Sequence, residues 1–225
     1  HIEQGCYLEE ANEKIGIVTA IVGIRGLIIS FKGEQNHAGT TTMKRRKDAA
    51  TAMFETAYRI NTQFPPLARE TTVWTLGNAT VEPGASSIVP GAAELTLQFR
   101  DQDESILDAL EQEVKKIVED IRSRGEILID VRPGREVIRP SRMDKNFQTH
   151  LEKSAQEITP NAWRYMPSAA GHDPMVIHEK IPCAMLFIPS IKGISHNFDE
   201  DSHEEDIILG CEVLTSAVAS ILLSN

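Results

Sequence analysis

The sequence predicts an α/β protein in which a small sheet-and-helix domain is inserted into part of a larger α/β domain. Residues 16–132 contain strand and helix patterns in the order β-α-β-β-α-β, which is typical of a four-stranded antiparallel sheet with two helices on one face. From residue 140 helices and strands alternate, which favours parallel strand pairing. Only two or three strands are visible there, too few for a sheet that is buried on both faces. We therefore assign residues 1–16 and 140–225 to part of one domain and residues 17–139 to the insertion.

The insertion begins with GIVTAIVGIRGLIISFKG, whose β-branched residues and glycines predict a pair of strands or one long bent strand. A helix follows in MKRRKDAATAMFETAYRI, because apolar residues recur at helical spacing at Ala49, Met53, Ala57 and Ile60. After the FPP break come two strand-like runs, TTVWTLGNATV and AELTLQFR, joined through EPGASSIVPG.

The second helix of the insertion has the clearest pattern in the chain. Its apolar stripe consists of Ile106, Leu107, Leu110, Val114, Ile117, Val118 and Ile121. Gly125 follows as a C-cap, and EILIDVR is the closing strand. This order of elements predicts a ferredoxin-like fold for the insertion.

The last part of the chain alternates between helices, short strands and loops. We predict a helix near residues 145–157, a strand near 163–165, the loop MPSAAGHDP, another helix, the buried strand CAMLFIP, the polar loop SIKGISHNFDEDSHEED and a terminal helix ending in LLSN. Both loops follow strands, and α/β proteins gather their binding residues in such loops.

Composition and charge exclude several classes of function. Lys and Arg number 23 against 33 Asp and Glu, and the resulting net charge of −10 disfavours nucleic acid and anionic lipid as partners. No window approaches the ~20 apolar residues of a membrane span, so we expect no membrane partner. Cys6, Cys183 and Cys211 are far apart in sequence, which favours buried thiols in a reducing compartment over disulfides. We therefore expect a cytoplasmic protein.

Four of the seven histidines lie in loops flanked by Gly or Asn, namely His1, His37, His172 and His196. Each alone is more often an ordinary surface residue, but four such loops together indicate a site. Neutral imidazole is the commonest side-chain metal ligand, and carboxylates commonly complete its shell. His150 and His178 are predicted to be surface residues on helices, and His203 a solvated residue at a helix start. The basic run MKRRKDA is interpreted as a solvated helix start, and GxSxG, GxGxxG, Walker and HExxH motifs are absent.

Five motifs occur in a fixed order: HIEQG, NHAGTTTM, VPG with LTLQFR, GHD and PSIKGISHN. Together they resemble the dinuclear metal amidohydrolases of the aminoacylase and carboxypeptidase clan. Within that clan the resemblance is to the branch of N-carbamoyl-L-amino-acid hydrolases, ureidopropionases and allantoate amidohydrolases, and it covers essentially the whole chain. It implies part of an α/β metallohydrolase catalytic domain with an inserted lid and dimerisation domain. Members of this family continue upstream of HIEQG, so we expect this chain to be a C-terminal fragment.

The resemblance also implies a metal site and its ligands. His1 matches a ligand of one divalent ion and His196 a ligand of the other, with zinc or manganese as the metal. The remaining ligands and the glutamate that acts as general base lie upstream in the family. We therefore expect an incomplete metal site in this chain.

Other positions match the family's catalytic and substrate-binding residues. His37 resembles the catalytic histidine that reaches across a homodimer to the scissile carbonyl in the neighbouring subunit. Arg100 matches the arginine that holds the substrate carboxylate, a role suited to a planar two-pronged donor. Gln4, Gly171 and His172 match positions that line the substrate pocket.

Three positions depart from the family pattern and bear on the substrate. Ser87 replaces an Asn of the substrate pocket, Ala169 replaces a Gly before GHD, and Thr42 replaces a Pro after NHAGTT. Ser87 is shorter than Asn and has one donor where the amide has two. These departures leave the substrate less defined than the reaction.

The implied reaction is metal-assisted hydrolysis of a linear amide, the ureido or carbamoyl C–N bond of an N-carbamoyl amino acid or allantoate-like substrate. Two alternatives stay open. One is an aminoacylase or metallopeptidase of the same clan. The other is that the chain by itself is an inactive fragment for dimerisation and substrate recognition.

Overall fold

The computed structural model describes residues 1–224, apart from the side chains of residues 135 and 136. Its helices are α1 (Tyr7–Glu10), α2 (Ala49–Gln63), α3 (Glu104–Arg122), α4 (Lys145–Ile158), α5 (Pro174–Ile177) and α6 (Glu204–Leu223). Its strands are β1 (Ile15–Ile21), β2 (Gly23–Lys32), β3 (Asn36–His37), β4 (Val73–Glu82), β5 (Ile88–Val89), β6 (Ala92–Asp101), β7 (Leu128–Ile138), β8 (Ser141–Arg142), β9 (Trp163–Ser168) and β10 (Leu186–Phe187). Short 3₁₀ turns lie at Met43–Arg45 and Ile191–Gly193.

The chain divides into two compact units, and one boundary differs from the prediction. The first unit comprises His1–Val22 and the chain from Pro140 onward, and the second is Gly23–Arg139. The predicted boundary after residue 16 therefore moves to Val22. The reason is that β1 pairs with β8, β9 and β10, all of which follow Pro140. The β-branched stretch thus forms two strands that belong to different sheets.

The second unit is a four-stranded antiparallel sheet in the order β4-β6-β2-β7. Along the chain its main elements follow one another as β2, α2, β4, β6, α3 and β7. Burial alternates residue by residue along β6, because successive side chains of a strand point to opposite faces. The buried face packs with both helices around Phe31, Phe64 and Phe99.

The two long helices of this unit follow their sequence patterns, with two corrections. The predicted stripe of α3 is buried except for Ile106, which is partly buried. The C-cap of α3 is Ser123 and not the predicted Gly125, which lies two residues further on with a left-handed φ of +73°. Helix α2 begins at Ala49 instead of near Met43, because Asp48 accepts hydrogen bonds from the backbone of the first turn and so acts as its N-cap.

The first unit contains a small mixed sheet centred on β1. Strand β9 runs parallel to β1, whereas β8 and β10 run antiparallel to it. The prediction of parallel pairing is therefore correct for β9 and wrong for β10. The segment between β9 and β10, residues 169–185, holds only the four-residue helix α5 in place of the longer crossover helix that usually joins parallel strands. Leu151 of α4 and Val213 of α6 pack with Ile15 and Ile17 of β1 in one core.

Helix α6 contradicts the prediction that no segment has the length and apolarity of a membrane span. Its residues Glu204–Leu223 include an 18-residue window with a mean hydropathy of 1.9, of which 22% is buried. A single helix of this kind is weak evidence for a membrane, because core helices have the same composition. The exposed residues include Ile207, Ile208, Leu214, Val218, Leu222 and Leu223.

Several predictions about single side chains also need correction. His150 is buried, and its Nδ1 lies 2.8 Å from Ser220 Oγ on the neighbouring helix. His178 is half-buried, whereas His203 is exposed at the start of α6 as predicted. The three cysteines are free, but only Cys183 is buried, and Cys211 is exposed on the apolar face of α6.

Candidate metal and substrate site

Three side chains of the first unit, His1, Glu3 and His172, come together in a cluster. Each offers one ligand atom, and these atoms lie within 4.8 Å of one another. His1 Nδ1 is 3.4 Å from Glu3 Oε2, and the rings of His1 and His172 meet edge to face with centroids 4.5 Å apart. Two imidazoles and a carboxylate are the donor types found in catalytic zinc and manganese sites.

His1 is positioned by the strand beside it. The main-chain nitrogen of His1 donates to Leu186 O at 3.2 Å, and Ile188 N donates to His1 O at 3.1 Å. One residue bonded to positions on both sides of Phe187 is the pattern of parallel strand pairing. The first residues thus lie along the edge of β10, and this brings His1 to the loop that follows β9.

His172 is held by a hydroxyl group at the end of β9. Ser168 Oγ donates to Ala170 O at 2.9 Å, so its oxygen accepts from His172 Nε2, which lies 3.0 Å away. Burial, the largest cause, lowers the pKa of His172. The neutral ring therefore carries its proton on Nε2, and Nδ1 keeps the lone pair that a metal ion or a substrate donor needs.

Gln4 presents a buried amide next to this cluster in sequence. It is 6% exposed, and its Oε1 accepts from Leu8 N at 3.1 Å. Its Nε2 has no hydrogen-bond partner among residues 1–224. A buried polar group without a partner costs about 1–3 kcal/mol, so Gln4 Nε2 is a donor that a bound ligand can satisfy.

His196 lies outside the cluster formed by His1, Glu3 and His172 in the described part of the chain. It is exposed, and its backbone adopts a φ of 57°. Its N–H donates to Glu200 Oε2 at 2.9 Å. A left-handed conformation at a residue other than glycine stores strain, and such strain collects at functional sites.

Glu3 was not a predicted site residue. The sequence feature that could have identified Glu3 is its spacing from His1, since residues two apart in a non-helical segment can face the same side. Gly171, a predicted pocket residue, is exposed in the same loop as His172, and an added Cβ there would lie 3.3 Å from Met175 Sδ.

In the second unit, two predicted residues lie on paired segments. Strands β3 and β5 are antiparallel, with His37 opposite Ile88, and Ala38 N donates to Ser87 O at 2.9 Å. Both His37 and Ser87 are exposed. His37 Nδ1 accepts from Gly39 N at 3.0 Å and from the next backbone N–H at 3.2 Å. The neutral ring of His37 therefore carries its proton on Nε2, where it can donate.

Arg100 lies on β6 of the same unit and is half-buried. Its Nε and Nη2 donate to Gln98 Oε1 at 3.0 and 2.9 Å. Gln98 and Arg100 share the face of β6 opposite Leu97 and Phe99, which are buried in the core. The remaining departures are an exposed Thr42 before the 3₁₀ turn and an exposed Ala169 before the His172 loop.

Comparison with known proteins places these features in a family context. The family model for peptidase family M20/M25/M40 matches residues 1–220. Allantoate amidohydrolase of Escherichia coli (strain K12) is 34% identical over 95% of this chain and 51% of its own length. N-carbamoyl-L-amino-acid amidohydrolase of Paenarthrobacter aurescens is 33% identical over 98% of this chain and 53% of its own.

Among solved structures, an amidase of the hydantoinase/carbamoylase family from Burkholderia phymatum superposes with a TM-score of 0.88 at 41% identity. The match covers 98% of this chain and 53% of the amidase. The chain therefore spans about half the length of the relatives that it matches.

Proposed function

We propose that this chain, which belongs to peptidase family M20/M25/M40, is the C-terminal part of an amidohydrolase that cleaves a linear ureido or carbamoyl C–N bond. Its substrate is an N-carbamoyl amino acid or an allantoate-like compound. The observation that carries the proposal is the similarity, over 95–98% of the chain, to relatives named for these two activities. Enzymes of this family are metal-dependent, and the cluster around His1 supplies suitable donors.

The chain's own residues would hold part of a site for two divalent ions, zinc or manganese. His1, with Glu3 and His172 beside it, and His196 in its separate loop offer donors of the right type. When bound, such ions acidify a water and polarise the substrate carbonyl. The remaining ligands and the general base would come from the preceding half of the protein.

His37 is proposed as the catalytic residue that stabilises the oxyanion. Its Nδ1 is occupied by backbone N–H groups, which leaves Nε2–H as the donor toward the developing charge. We propose that it acts on the active site of the partner subunit in a homodimer.

Each unit contains residues that we propose for substrate recognition. The guanidinium of Arg100 would bind the carboxylate in a two-pronged manner. Gln4, whose Nε2 is buried without a partner in residues 1–224, would donate to the ureido carbonyl. Ser87 of the second unit, and Gly171 and His172 of the first, are the other residues proposed to contact the substrate.

The second unit supports the proposed homodimer through its exposed edge and helix. In the described chain β4 pairs only with β6, so its other edge is open to a second strand. Phe54 and Tyr58 are 61% and 69% exposed and lie one turn apart on α2. An open edge and a pair of exposed aromatic residues suit a two-fold interface.

The exposed face of α6 supports the proposal that the preceding half packs on the first unit. A groove of about 650 Å³ runs along α6 and the edge of β10, lined mainly by apolar residues such as Leu186, Leu214 and Val218. The relatives carry a further half of similar length. Burial of this face would also cover His1, which lines the same groove.

The proposal is tested with the full-length protein, which includes the preceding half. Ammonia release is measured with N-carbamoyl-L-amino acids and allantoate, and product formation with N-acetyl amino acids and dipeptides. We expect turnover of the ureido substrates only. Preferential cleavage of the acetyl or dipeptide substrates would assign the protein to the aminoacylase or metallopeptidase alternative.

A second proposal concerns the 225 residues in isolation, which we expect to be an inactive recognition and dimerisation fragment. The partial metal cluster favours it, because His1, Glu3 and His172 form the one such group among the described residues. The same substrates given to the isolated chain should yield no product. Turnover by that chain would contradict this second proposal.

A further inference from the structure

The loop of residues 190–203, here called the His196 loop, contacts residues 1–10, the His1 segment, at Gly193. Gly193 has a φ of +63°, and an added Cβ would lie 2.6 Å from Cys6 N and 2.7 Å from the Gly5 carbonyl carbon. These are backbone atoms, which cannot rotate aside as a side chain can. Glycine alone therefore allows both the conformation and the close approach.

A hydrogen bond between distant parts of the chain reinforces this contact. Glu9 Oε2 accepts from the backbone N–H of Lys192 at 2.9 Å. Lys192 has a φ of 59°, a left-handed conformation that is unfavourable for a residue with a side chain. The bond to Glu9 offsets part of that cost and holds Lys192 and Gly193 against the His1 segment.

The His196 loop is closed on itself by two buried serines. Ser190 Oγ donates to Ile194 O at 3.1 Å, and Ser202 Oγ donates to Pro189 O at 2.6 Å. Because these bonds tie both ends of the loop together, a displacement at Gly193 moves the loop as a whole.

His196 stands three residues beyond Gly193, and its backbone determines where its ring lies. The left-handed φ of 57° and the bond from its N–H to Glu200 Oε2 define the backbone there. The residue itself is exposed, so packing of the side chain does little to hold the ring. The position of the loop therefore decides the position of the imidazole.

We infer that Gly193 and Glu9 are positioning residues that set the place of His196 relative to the His1 segment. The inference rests on the proposed role of His196 as a metal ligand. A metal site requires its ligand distances to hold within about 0.2 Å. A loop pushed away from the His1 segment would therefore bind its ion more weakly.

The test uses the full-length protein, freed of metal and titrated with Co²⁺, whose visible absorption reports its coordination. The variants are Gly193→Ala and Glu9→Ala, with Glu9→Gln as a conservative change that keeps an acceptor oxygen. Gly125→Ala is the matched control, because Gly125 has a φ of +73° and no heavy atom within 4 Å of an added Cβ. His196→Ala serves as the reference for loss of the ligand, and thermal melting shows which variants fold.

We expect Gly193→Ala and Glu9→Ala to weaken one Co²⁺ site about 10- to 100-fold, the range for lost support of a metal ligand. Glu9→Gln and Gly125→Ala should bind as the wild type does. Wild-type affinity in folded Glu9→Ala overturns the inference, even if Gly193→Ala fails to fold. If His196→Ala retains both sites, the ligand assignment itself is wrong, whatever the other variants do.

Discussion

Gln98 and Arg100 illustrate how a strand presents the guanidinium that we propose binds the substrate. They lie two residues apart on β6 and point away from the core, which contains Leu97 and Phe99. Gln98 Oε1 accepts hydrogen bonds from two N–H groups of the guanidinium. This contact restrains a long side chain before any ligand arrives. A pre-ordered donor loses less conformational entropy when it binds a carboxylate.

Arg100→Lys should raise KM for carboxylate substrates roughly tenfold to a hundredfold, the equivalent of losing a charged hydrogen bond of about 1.5–3 kcal/mol. Lysine keeps the charge but replaces a two-pronged donor with a point charge. Steady-state kinetics on the full-length protein should show little change for a substrate analogue whose carboxylate is amidated. Arg132→Lys is the control, since Arg132 pairs with Glu94 on the same sheet. Equal losses on both substrates would remove Arg100 from carboxylate binding.

Sequence patterns select candidate site residues but not the side chains that lie beside them. His1, His172 and Gln4 were predicted from loops and family motifs, and the first two lie together. Glu3 was missed, because its role depends on the rotation of a short irregular segment. The burial of His150 was missed for a similar reason, since the helical pattern around it does not reveal the partner Ser220 on another helix.

At the scale of elements, α3 is attached to β2 by charge as well as by its apolar stripe. Arg25 of β2 contacts Glu104 and Asp108 at 2.6 Å each and Glu111 at 2.9 Å. Burial acts to raise the pKa of Glu111, but Lys115 and Arg25 outweigh it and hold the pKa below its usual value. The carboxylate therefore contributes stability above its unfolded-state pKa, and that contribution is lost as the pH falls through the folded-state pKa.

Arg25→Leu should lower the free energy of unfolding of the second unit by about 1–3 kcal/mol at pH 7. It removes the shared partner of three carboxylates, of which Glu111 still keeps Lys115. The difference from the wild type should shrink below about pH 4, where carboxylates protonate. Urea unfolding is followed by Trp74 fluorescence in a Trp163→Phe background, so that the second unit alone is reported.

Arg124→Leu is the control for the Arg25 experiment. Arg124 pairs with Glu55 and Asp120 across the surface, and its side chain is 47% exposed. Its loss should cost no more than about 1 kcal/mol. A pH-independent difference between Arg25→Leu and the wild type would mean that packing, not charge, attaches Arg25 to α3.

The predicted elements were correct where a periodic apolar pattern extends over many residues. They were wrong where the direction of a strand depends on pairing with residues far away in the sequence. The stripe of α3 extends over about four turns, and all of it is buried except Ile106, which is partly buried. Strand β10 has two residues, and its direction follows from the chain's route between β9 and β10, which no local pattern records. The start of α2 was missed because Asp48, a better cap than the residues before it, lies inside the basic run.

At the scale of the whole molecule, the proposed preceding half accounts both for the apolar face of α6 and for the incomplete set of metal ligands around His1. The chain spans about half the length of its relatives. A preceding half would cover Leu214, Val218 and Leu222, which are 49%, 46% and 71% exposed. It would also complete the ligands around His1.

The 225-residue chain alone should bind Zn²⁺ weakly and without two tight sites. A tight site needs three or four well-placed protein ligands, and the His1, Glu3 and His172 cluster leaves His196 in a separate loop. Isothermal calorimetry on the isolated chain and on the full-length protein compares the two directly. Two tight sites per isolated chain would contradict the proposal that the preceding half supplies the missing ligands.

The proposed action of His37 on the partner subunit can be tested by mixing two inactive variants. His37→Ala and His196→Ala are made separately in the full-length protein, and each homodimer should be nearly inactive. Loss of the oxyanion donor costs about 10²–10³ in rate, and loss of His196 removes a metal ligand. The two variants are then unfolded together, refolded, and assayed after heterodimers have been confirmed by mass spectrometry.

If His37 acts on the partner's site, the subunit that retains His196 in a heterodimer receives His37 from its neighbour. One of the two sites is then complete. Random two-fold pairing of equal amounts makes about half of the dimers mixed, so roughly a quarter of wild-type sites should return. If His37 serves its own subunit, every site keeps one defect and mixing restores nothing. The activity of the refolded mixture therefore separates the two arrangements, because the same side chains are present in both.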